Sequence, residues 1–231
     1  MATRRQTAPK AKAEPGPDWA ESTEQQVLDA ALGIIPREGW TARMAVLAGA
    51  AAGLSEGETE LLLPNGPADL AALLSRRHDA RALAALGKVD VMGLKIREKI
   101  ARAVAARTEA AMDDEAAVRR MSGFLALPSH VALGPRLTWQ SADGLWRWAG
   151  DTATDENHYS KRLLLAGILA GALAVRLASG EGAAADFTAR RIDNVMAFEK
   201  WKATTKIRPS LMIDAVAGAL GRIRYRAGDR L

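Results

Sequence analysis

Apolar residues recur at every third or fourth position through most of the chain, which is the spacing of one buried face of an α-helix. Alanine and leucine, both strong helix formers, supply most of these positions, while β-branched and aromatic residues are sparse. The pattern therefore predicts an all-α fold of nine to ten helices. The predicted segments are 23–36, 41–53, 55–61, 67–83, 89–111, 115–127, 129–149, 157–177, 183–206 and 209–224.

Capping residues mark the predicted starts of the first helices. Thr23, Thr41 and Ser55 each stand just before an apolar periodic run, where a hydroxyl oxygen can accept a hydrogen bond from a free backbone N–H group. Gly53 can end the second helix, and Pro67 fits the first position of the fourth. These signals predict short turns between closely packed helices.

Composition and punctuation divide the 231 residues into three parts. Residues 1–22 are rich in proline and basic residues and predict a disordered tail; a transit peptide is the alternative, which the acidic residues there disfavour. Residues 23–206 predict one helical domain, with a helix-turn-helix-like part over 23–65 and a larger body over 66–206. Residues 207–231 predict a basic amphipathic helix.

The longest uncharged run, from Leu163 to Val175, lies between Arg162 and Arg176. As a helix this run extends over about 20 Å, whereas the hydrocarbon core of a bilayer is about 30 Å thick. We therefore predict no transmembrane span.

The formal net charge of +5 is concentrated at the C-terminus, where residues 200–231 contain eight basic residues and two acidic ones. An apolar stripe with basic flanks predicts binding to anionic lipid headgroups. Docking of the stripe on the domain or on a second subunit is the alternative. RNA binding is disfavoured because Tyr225 is the single aromatic residue among the charges that follow Pro209. The predicted membrane-binding residues are Arg208, Leu211, Met212, Ile213, Val216, Leu220 and Ile223.

The sequence offers little for catalysis. It contains no cysteine, and its three histidines are far apart, which disfavours zinc and haem sites. No phosphate-binding loop, nucleophile elbow or paired histidine motif occurs. Asp151 and Asp155 flank a helix junction and are better explained as capping residues than as an acid and base. We predict a protein that is not an enzyme and needs no cofactor.

The opening helices resemble those of tetracycline-repressor-like regulators: a helix, a break at Gly39-Trp40, a second helix, a turn at residues 53–55 and a short third helix. In that family the third helix enters the major groove of DNA. Residues 53–63 here contain three glutamates and no lysine or arginine, so the segment would repel phosphates. We predict a repressor-like bundle with a degenerate helix-turn-helix that binds no nucleic acid. A ligand-responsive DNA-binding regulator is the alternative.

The most informative stretch runs from Trp146 to Arg162. It joins the end of one helix, closed at Gly150, to the start of the next, and a run of polar and aromatic residues follows. This motif resembles the lipid-binding accessory proteins of ubiquinone (coenzyme Q) biosynthesis. The residues that carry the resemblance are Trp146, Ala149, Gly150, Asp151, Thr154, Asp155, Asn157, Tyr159, Lys161, Arg162, Leu165 and Ala166.

The resemblance implies that an isoprenoid, quinone or phospholipid ligand binds in the hydrophobic body. It also implies a homodimer that lies on the inner face of a membrane, on the cytoplasmic side or the mitochondrial matrix side, and presents quinone intermediates to a hydroxylase. The family's partner-binding patch maps onto Asp155, Tyr159 and Arg162, with His158 in place of the usual tryptophan.

Two sets of apolar residues predict where the lipid binds. Leucines at 165, 169, 173 and 177 form one ridge, and alanines at 166, 170, 174 and 178 form another, which predicts a core helix, a dimer seam or a cavity wall. Trp139 and Trp146 are seven residues apart and share a helix face, where they indicate either core packing or a pocket. The predicted lipid-binding residues are Met121, Phe124, Leu125, Leu137, Trp139, Trp146, Leu164 and Ile168.

Overall fold

The fold was analysed in a computed structural model, which describes residues 19–151 and 156–205. These residues form helices joined by turns, and the predicted all-α class is confirmed. Eight helices occur in this part of the chain: α1 (Trp19–Glu38), α2 (Ala42–Ala51), α3 (Glu56–Leu62), α4 (Pro67–Leu86), α5 (Ile96–Met112), α6 (Glu115–Leu125), α7 (Leu133–Trp148) and α8 (Glu156–Thr205).

Local sequence signals set several helix ends as predicted. The Thr41 hydroxyl oxygen accepts a hydrogen bond from the Met44 backbone N–H. Ser55 and Glu58 form a reciprocal capping box at the start of α3. Pro67 occupies the first turn of α4, and Gly66 before it has a φ of 56°. These three helix starts are confirmed.

The first helix begins earlier than predicted. Thr23 does not cap it, because α1 already begins at Trp19 and the Thr23 hydroxyl donates a hydrogen bond to the Trp19 carbonyl, 2.7 Å away. Residues 19–22, predicted to lie in the disordered tail, are therefore helical. Pro36 lies inside α1 and does not end it.

Two other helices begin later than predicted. Helix α5 begins at Ile96, because the chain turns before it and Gly93 has a φ of 82°. Helix α7 begins at Leu133 after a series of short turns from Leu127. In both cases the apolar periodicity extends into the preceding turns, so the pattern alone does not mark the helix start.

Helix α8 comprises two helical segments that meet at Gly180. This residue has a φ of 86° and a ψ of −174°, a conformation that glycine alone adopts readily. The first segment covers residues 156–179 and the second covers residues 181–205. The predicted pair of helices with a break near residues 178–182 is therefore confirmed.

The first four helices form an N-terminal layer with a closely packed core. Val27, Leu28 and Met44 have no exposed surface, and Leu70 and Leu74 of α4 pack against them. Helix α6 packs on α1, and the Trp40 indole N–H donates to the Ala117 carbonyl at 3.0 Å. The layer is therefore joined to the rest of the bundle by apolar packing and a buried hydrogen bond.

The C-terminal body consists of α5, α7 and α8. Ile100 and Val104 of α5 pack with Leu145 of α7 and with Leu165 and Leu169 of α8. Both segments of α8 contribute, since Ile192 belongs to the same cluster. The predicted leucine ridge is therefore core at its beginning, and its later members line the surface described below.

One helical stretch in the described chain, His158–Ala197, is long and apolar enough to cross a membrane by length and composition alone. This differs from our prediction, which considered only the uncharged run. Of the most apolar window, 28% is buried, so much of the apolar surface of α8 is uncovered. Length and composition do not distinguish a membrane span from a helix whose surface is covered by a partner or a ligand.

The helix-turn-helix-like part has the predicted local form. Helix α2 ends at a turn in which Gly53 has a φ of 82°, and α3 packs on α2 where Thr59 approaches Gly49. The side chains of Glu56 and Glu60 are exposed. The outer surface of α3 is therefore acidic, and the prediction that it binds no nucleic acid rests on that charge.

Candidate functional site

A long groove follows the first segment of α8 on the side that faces α6 and α7. Its volume is about 620 Å³, within the range of ligand pockets. Leu163, Ala170 and Leu177 mark its length along α8, and Leu163 is 67% exposed. The groove is therefore an apolar channel that is open to the surface. Four of the predicted lipid-binding residues line it: Met121, Leu125, Leu137 and Trp139.

A small recess of about 40 Å³ adjoins the middle of this groove. Its lining combines Arg107, Thr108, Thr138 and Ser141 with three apolar residues of α8, which are Leu169, Ala170 and Leu173. Arg107 Nε donates to Asp79, and Ser141 Oγ donates to the same carboxylate at 2.6 Å. The recess therefore places a neutralised arginine beside an otherwise apolar channel.

A short cavity of about 430 Å³ lies on the other side of α8. Its walls come from α5, the end of α7 and both segments of α8, and include Ile96, Ile100 and Met196. Arg97 and Lys161 also line it, so this cavity has basic groups among its apolar walls. Three of the predicted lipid-binding residues line it: Trp146, Leu164 and Ile168.

The predicted lipid-binding residues therefore do not line one pocket. They divide between the long groove and the short cavity because α8 lies between the two. Trp139 and Trp146 share a face of α7 but are two turns apart, and each turn meets a different neighbour. Phe124 lines neither space: it is buried and stacks on His130 at 4.0 Å and on Trp40 at 6.1 Å. We correct Phe124 to a core residue.

Arg162 anchors the start of α8 to the end of α7. Its side chain is buried, with an exposure of 1%. Arg162 Nε donates to Asp143 at 2.6 Å, and Nη1 donates to Asp151 and to the His158 carbonyl, each at 3.1 Å. Arg162 was predicted to contact a protein partner directly, and its burial contradicts that prediction. Arg162 instead lies in the protein interior and holds the start of α8, where the patch lies, in position.

Lys161 completes this anchor and was not singled out for a role in the sequence analysis. Lys161 Nζ donates to Asp151 Oδ1 at 2.6 Å and lies 5.5 Å from the centre of the Trp146 ring. The Trp146 indole N–H donates in turn to the Lys161 carbonyl at 3.0 Å. Its position beside Arg162 in the motif is the signal that could have indicated it.

The carboxyl group of Asp151 receives both basic side chains. Burial works to raise its pKa, but hydrogen bonds from Lys161 and Arg162 outweigh burial, so the pKa of Asp151 lies below its usual value. The carboxylate is therefore charged at neutral pH and holds the loop after α7, where Gly150 has a φ of 92°. The predicted left-handed conformation of Gly150 is confirmed.

His158 and Tyr159 form the described part of the predicted partner patch. Tyr159 is 65% exposed, and the two rings contact each other edge to face with centres 5.2 Å apart. Tyr159 also stacks on Trp139 at 6.1 Å, and Trp139 lines the long groove. The patch is therefore continuous with the groove wall. Asp155 and the predicted membrane-binding residues from Arg208 to Ile223 lie outside the described residues.

Comparison with known proteins bears on the helices that form these walls. The family model described as COQ9 matches residues 131–199, which include α7 and most of α8. The chain is similar to the COQ9 family. The resemblance predicted from the central motif is therefore confirmed.

Relatives with curated names extend the similarity beyond this segment. The chain is 28% identical over 157 residues to "Ubiquinone biosynthesis protein COQ9, mitochondrial" of Bos taurus, covering 64% of this chain and 48% of the relative. It is 26% identical over 154 residues to the Homo sapiens protein of the same name, covering 64% and 48%. It is 29% identical over 168 residues to "Ubiquinone biosynthesis protein COQ9-A, mitochondrial" of Xenopus laevis, covering 66% and 50%.

The chain thus spans about half the length of the curated relatives it matches. The segment that matches the family supplies the α7 and α8 walls of both cavities, while α5 supplies further wall to each and α6 to the long groove. Among the residues that the structure describes, no group of three histidine, aspartate or glutamate side chains is arranged to hold a metal ion.

Proposed function

We propose that this protein is a lipid-binding accessory protein of ubiquinone biosynthesis, which binds an isoprenoid or quinone lipid and presents it to a quinone-precursor hydroxylase. One observation carries the proposal: the segment similar to COQ9 includes α7 and most of α8, and these helices contribute walls to two apolar cavities of about 620 and 430 Å³. Both volumes lie within the range of known ligand pockets, and their walls are largely apolar side chains.

The proposal assigns binding and presentation to the protein and the chemistry to its partner. Two arginines near the cavities are engaged in ion pairs that hold helices together: Arg162 with Asp143 and Arg107 with Asp79. Structural ion pairs of this kind orient walls and need no substrate. A lipid held in an open groove remains accessible to a second protein, which suits transfer between a membrane and an enzyme.

The ligand can be tested directly on the purified full chain. We expect native mass spectrometry and lipid extraction to find an isoprenoid or quinone lipid, bound at about one or more molecules per chain. Ala170→Phe should reduce the recovered lipid, because the ring would fill the groove beside the recess. Ala178→Phe is the matched control, because Ala178 is exposed on the same helix segment, as Ala170 is, but does not line the groove. A wild-type protein that carries no lipid and takes up none from vesicles contradicts the proposal.

The predicted membrane role of the C-terminal residues requires a separate experiment. Vesicles with anionic headgroups should bind the full chain, and salt should weaken the binding because the attraction depends on basic residues. Replacing Leu211, Met212 and Ile213 by serine should abolish most of the binding. Leu61→Ser, at a leucine that is 85% exposed on α3, is the control for loss of surface hydrophobicity. Binding that is unaffected by the triple substitution would assign the membrane surface elsewhere.

The predicted partner patch supplies the link to a hydroxylase. Because exposed aromatic residues at an interface contribute about 2 kcal/mol or more, Tyr159→Ala should weaken capture of the hydroxylase at least about tenfold. Leu61→Ala again serves as the control. Equal capture by both variants would remove Tyr159 from the interface and leave lipid binding untouched.

A DNA-binding regulator is the second candidate, and the α2-turn-α3 arrangement favours it. The exposed glutamates of α3 oppose it, because neutralisation of phosphates supplies much of the affinity for DNA. A gel shift with genomic fragments decides between the two functions. Retardation that a lipid ligand reverses would support the regulator.

A further inference from the structure

The recess adds a charged hydrogen-bond donor, Arg107, to the wall of the long groove. A guanidinium group has five N–H donors. In the described part of the chain, Arg107 uses one at Nε for Asp79 and one at Nη2 for Ser75 Oγ at 3.2 Å. The remaining donors of Arg107 meet no acceptor among these residues. Arg107 lines both the recess and the groove, which an acceptor on a ligand can enter.

Two of the three other polar side chains of the recess, Thr138 and Ser141, are already committed, and the third is the uncharged hydroxyl of Thr108. The Ser141 hydroxyl donates to Asp79, and the Thr138 hydroxyl donates to the carbonyl of Gly134 within α7. Arg107 is therefore the group in the described recess that offers N–H donors. The recess recognises an oxygen that accepts hydrogen bonds.

The charge of the recess indicates a neutral head. Arg107 is paired with Asp79, and its side chain is 12% exposed. An anionic head at this position would meet the Asp79 carboxylate close behind the guanidinium, so the pair offers little net attraction for a second anion. A carbonyl, methoxyl or phenolic oxygen gains the hydrogen bond without that repulsion.

The size of the recess restricts what enters it. At about 40 Å³ it holds one water-sized group, whereas the adjoining groove of about 620 Å³ holds a ring and part of a chain. From Leu163 to Leu177 the α8 wall extends over about 21 Å of apolar surface. An oxygen substituent can point into the recess while the ring and tail lie in the groove.

We propose that Arg107 is the head-group residue of this protein: it donates hydrogen bonds to a neutral oxygenated ring whose isoprenoid tail lies along α8. This assignment rests on the proposed function and names the lipid class that the long groove takes. In this assignment the short cavity has no part in binding the head group, although Arg97 and Lys161 line that cavity.

The test uses two probes with the same tail, geranyl benzoquinone and geranyl benzene, titrated into the full chain by calorimetry. The wild-type protein should bind the quinone about tenfold more tightly than the hydrocarbon, since only the quinone accepts from Arg107. Arg107→Met combined with Asp79→Asn should remove that preference while leaving no buried charge without its partner. Asp79→Asn alone retains Arg107 and should keep the preference.

A second pair of variants locates the tail. Ala170→Phe should weaken binding of both probes, while Ile96→Trp, which narrows the short cavity, should leave both unchanged. Thermal unfolding of each variant identifies any loss of fold. If the double variant does not fold, the Ala170→Phe result still tests where the tail binds.

The outcomes separate this inference from the proposed function. A quinone preference that survives in the double variant overturns the role of Arg107 and leaves lipid binding intact. Loss of binding of both probes in Ile96→Trp, with no loss in Ala170→Phe, places the lipid in the short cavity and also overturns the inference. A wild-type protein that binds neither probe contradicts this inference together with the proposed function.

Discussion

The N-terminal layer and the C-terminal body are built from the same helical pattern, but the layer packs into a closed core and the body leaves apolar surface uncovered. In the layer, Leu28, Met44 and Leu70 are fully buried. In the body, Leu163 and Leu164 are exposed, and α8 lies between a groove and a cavity. The difference shows that apolar periodicity identifies a helix face without saying whether protein, lipid or a partner covers that face.

The two regions should therefore respond differently to substitution. A filled core loses contacts and gains a cavity when a side chain is shortened, whereas an open wall loses little. Stability should depend on the layer and on the ion pairs that close the body. The groove walls should tolerate change and report it through ligand binding.

The largest effect is expected at the buried ion pairs of the body. Arg162→Ala removes the buried cation that joins Asp143 to Asp151 and leaves them only the more exposed partners Arg147 and Lys161. Removing one member of a buried pair costs about 3–5 kcal/mol. Urea unfolding measures the loss. The control is Arg43→Ala at an exposed pair with Glu38, for which we expect a change below about 1 kcal/mol. Similar costs for the two would contradict the role of Arg162 as an anchor.

The second-largest effect is expected for leucine-to-alanine substitutions, and the loss of stability should differ between the two regions. Leu70→Ala in the layer should lower the free energy of unfolding by about 3 kcal/mol, because Leu70 has no exposed surface. Leu163→Ala on the groove should change it by less than about 1 kcal/mol. The same unfolding experiment measures both. Equal losses would mean that the groove wall is covered as closely as the core.

The pH dependence of stability should reflect the contact between His78 of α4 and Asp114, which precedes α6. His78 Nε2 lies 2.9 Å from Asp114 Oδ2. Burial lowers the pKa of His78 from 6.5 to about 4, although the hydrogen bond from His78 to Asp114 works to raise it. The unfolded chain binds the proton first, so stability is complete above pH 6.5 and declines as the pH falls toward about 4. The decline is on the order of 3 kcal/mol.

His78→Gln is the control for this dependence, because glutamine does not titrate. Its unfolding free energy should change less between pH 6.5 and about 4 than that of the wild-type protein. Parallel curves for the two proteins would assign the acid sensitivity to other groups.

The smallest expected effect compares two glycines inside helices. Gly49→Ala in α2 should destabilise by about 1–3 kcal/mol, because the new Cβ would overlap the Thr59 side chain, with Cγ2 at 2.6 Å. Gly167→Ala on the groove side of α8 meets nothing within 4 Å and should stabilise by about 0.5–1 kcal/mol. Thermal unfolding distinguishes the signs, and a stabilising Gly49→Ala would contradict the close packing of α2 on α3.

Local signals were sufficient where the interaction is local. Thr41 and Ser55 bond to N–H groups three residues away, and the sequence places these partners directly. Thr23 has the same chemistry but donates to a carbonyl four residues earlier, inside a helix that had already begun. A hydroxyl residue can take either role, and the pattern around Thr23 does not distinguish them.

The candidate site depended on contacts between distant segments, which the pattern does not contain. The lipid-binding residues were predicted as one set because they are apolar and regularly spaced, but α8 separates them. Arg162 was assigned to a surface by resemblance, yet Asp143, nineteen residues earlier, draws its guanidinium inward. Burial of a long polar side chain requires knowledge of where its partner lies.

The long groove and the short cavity depend differently on the backbone conformation at Gly180. The long groove takes its α8 wall from residues before Gly180, while the short cavity also needs Ile192, Val195 and Met196, which follow it. Torsion about this one residue would therefore widen or narrow the second compartment and leave the first at constant width. The α8 wall of the long groove thus lies on one side of this break in the helix, whereas the α8 wall of the short cavity lies on both sides of it.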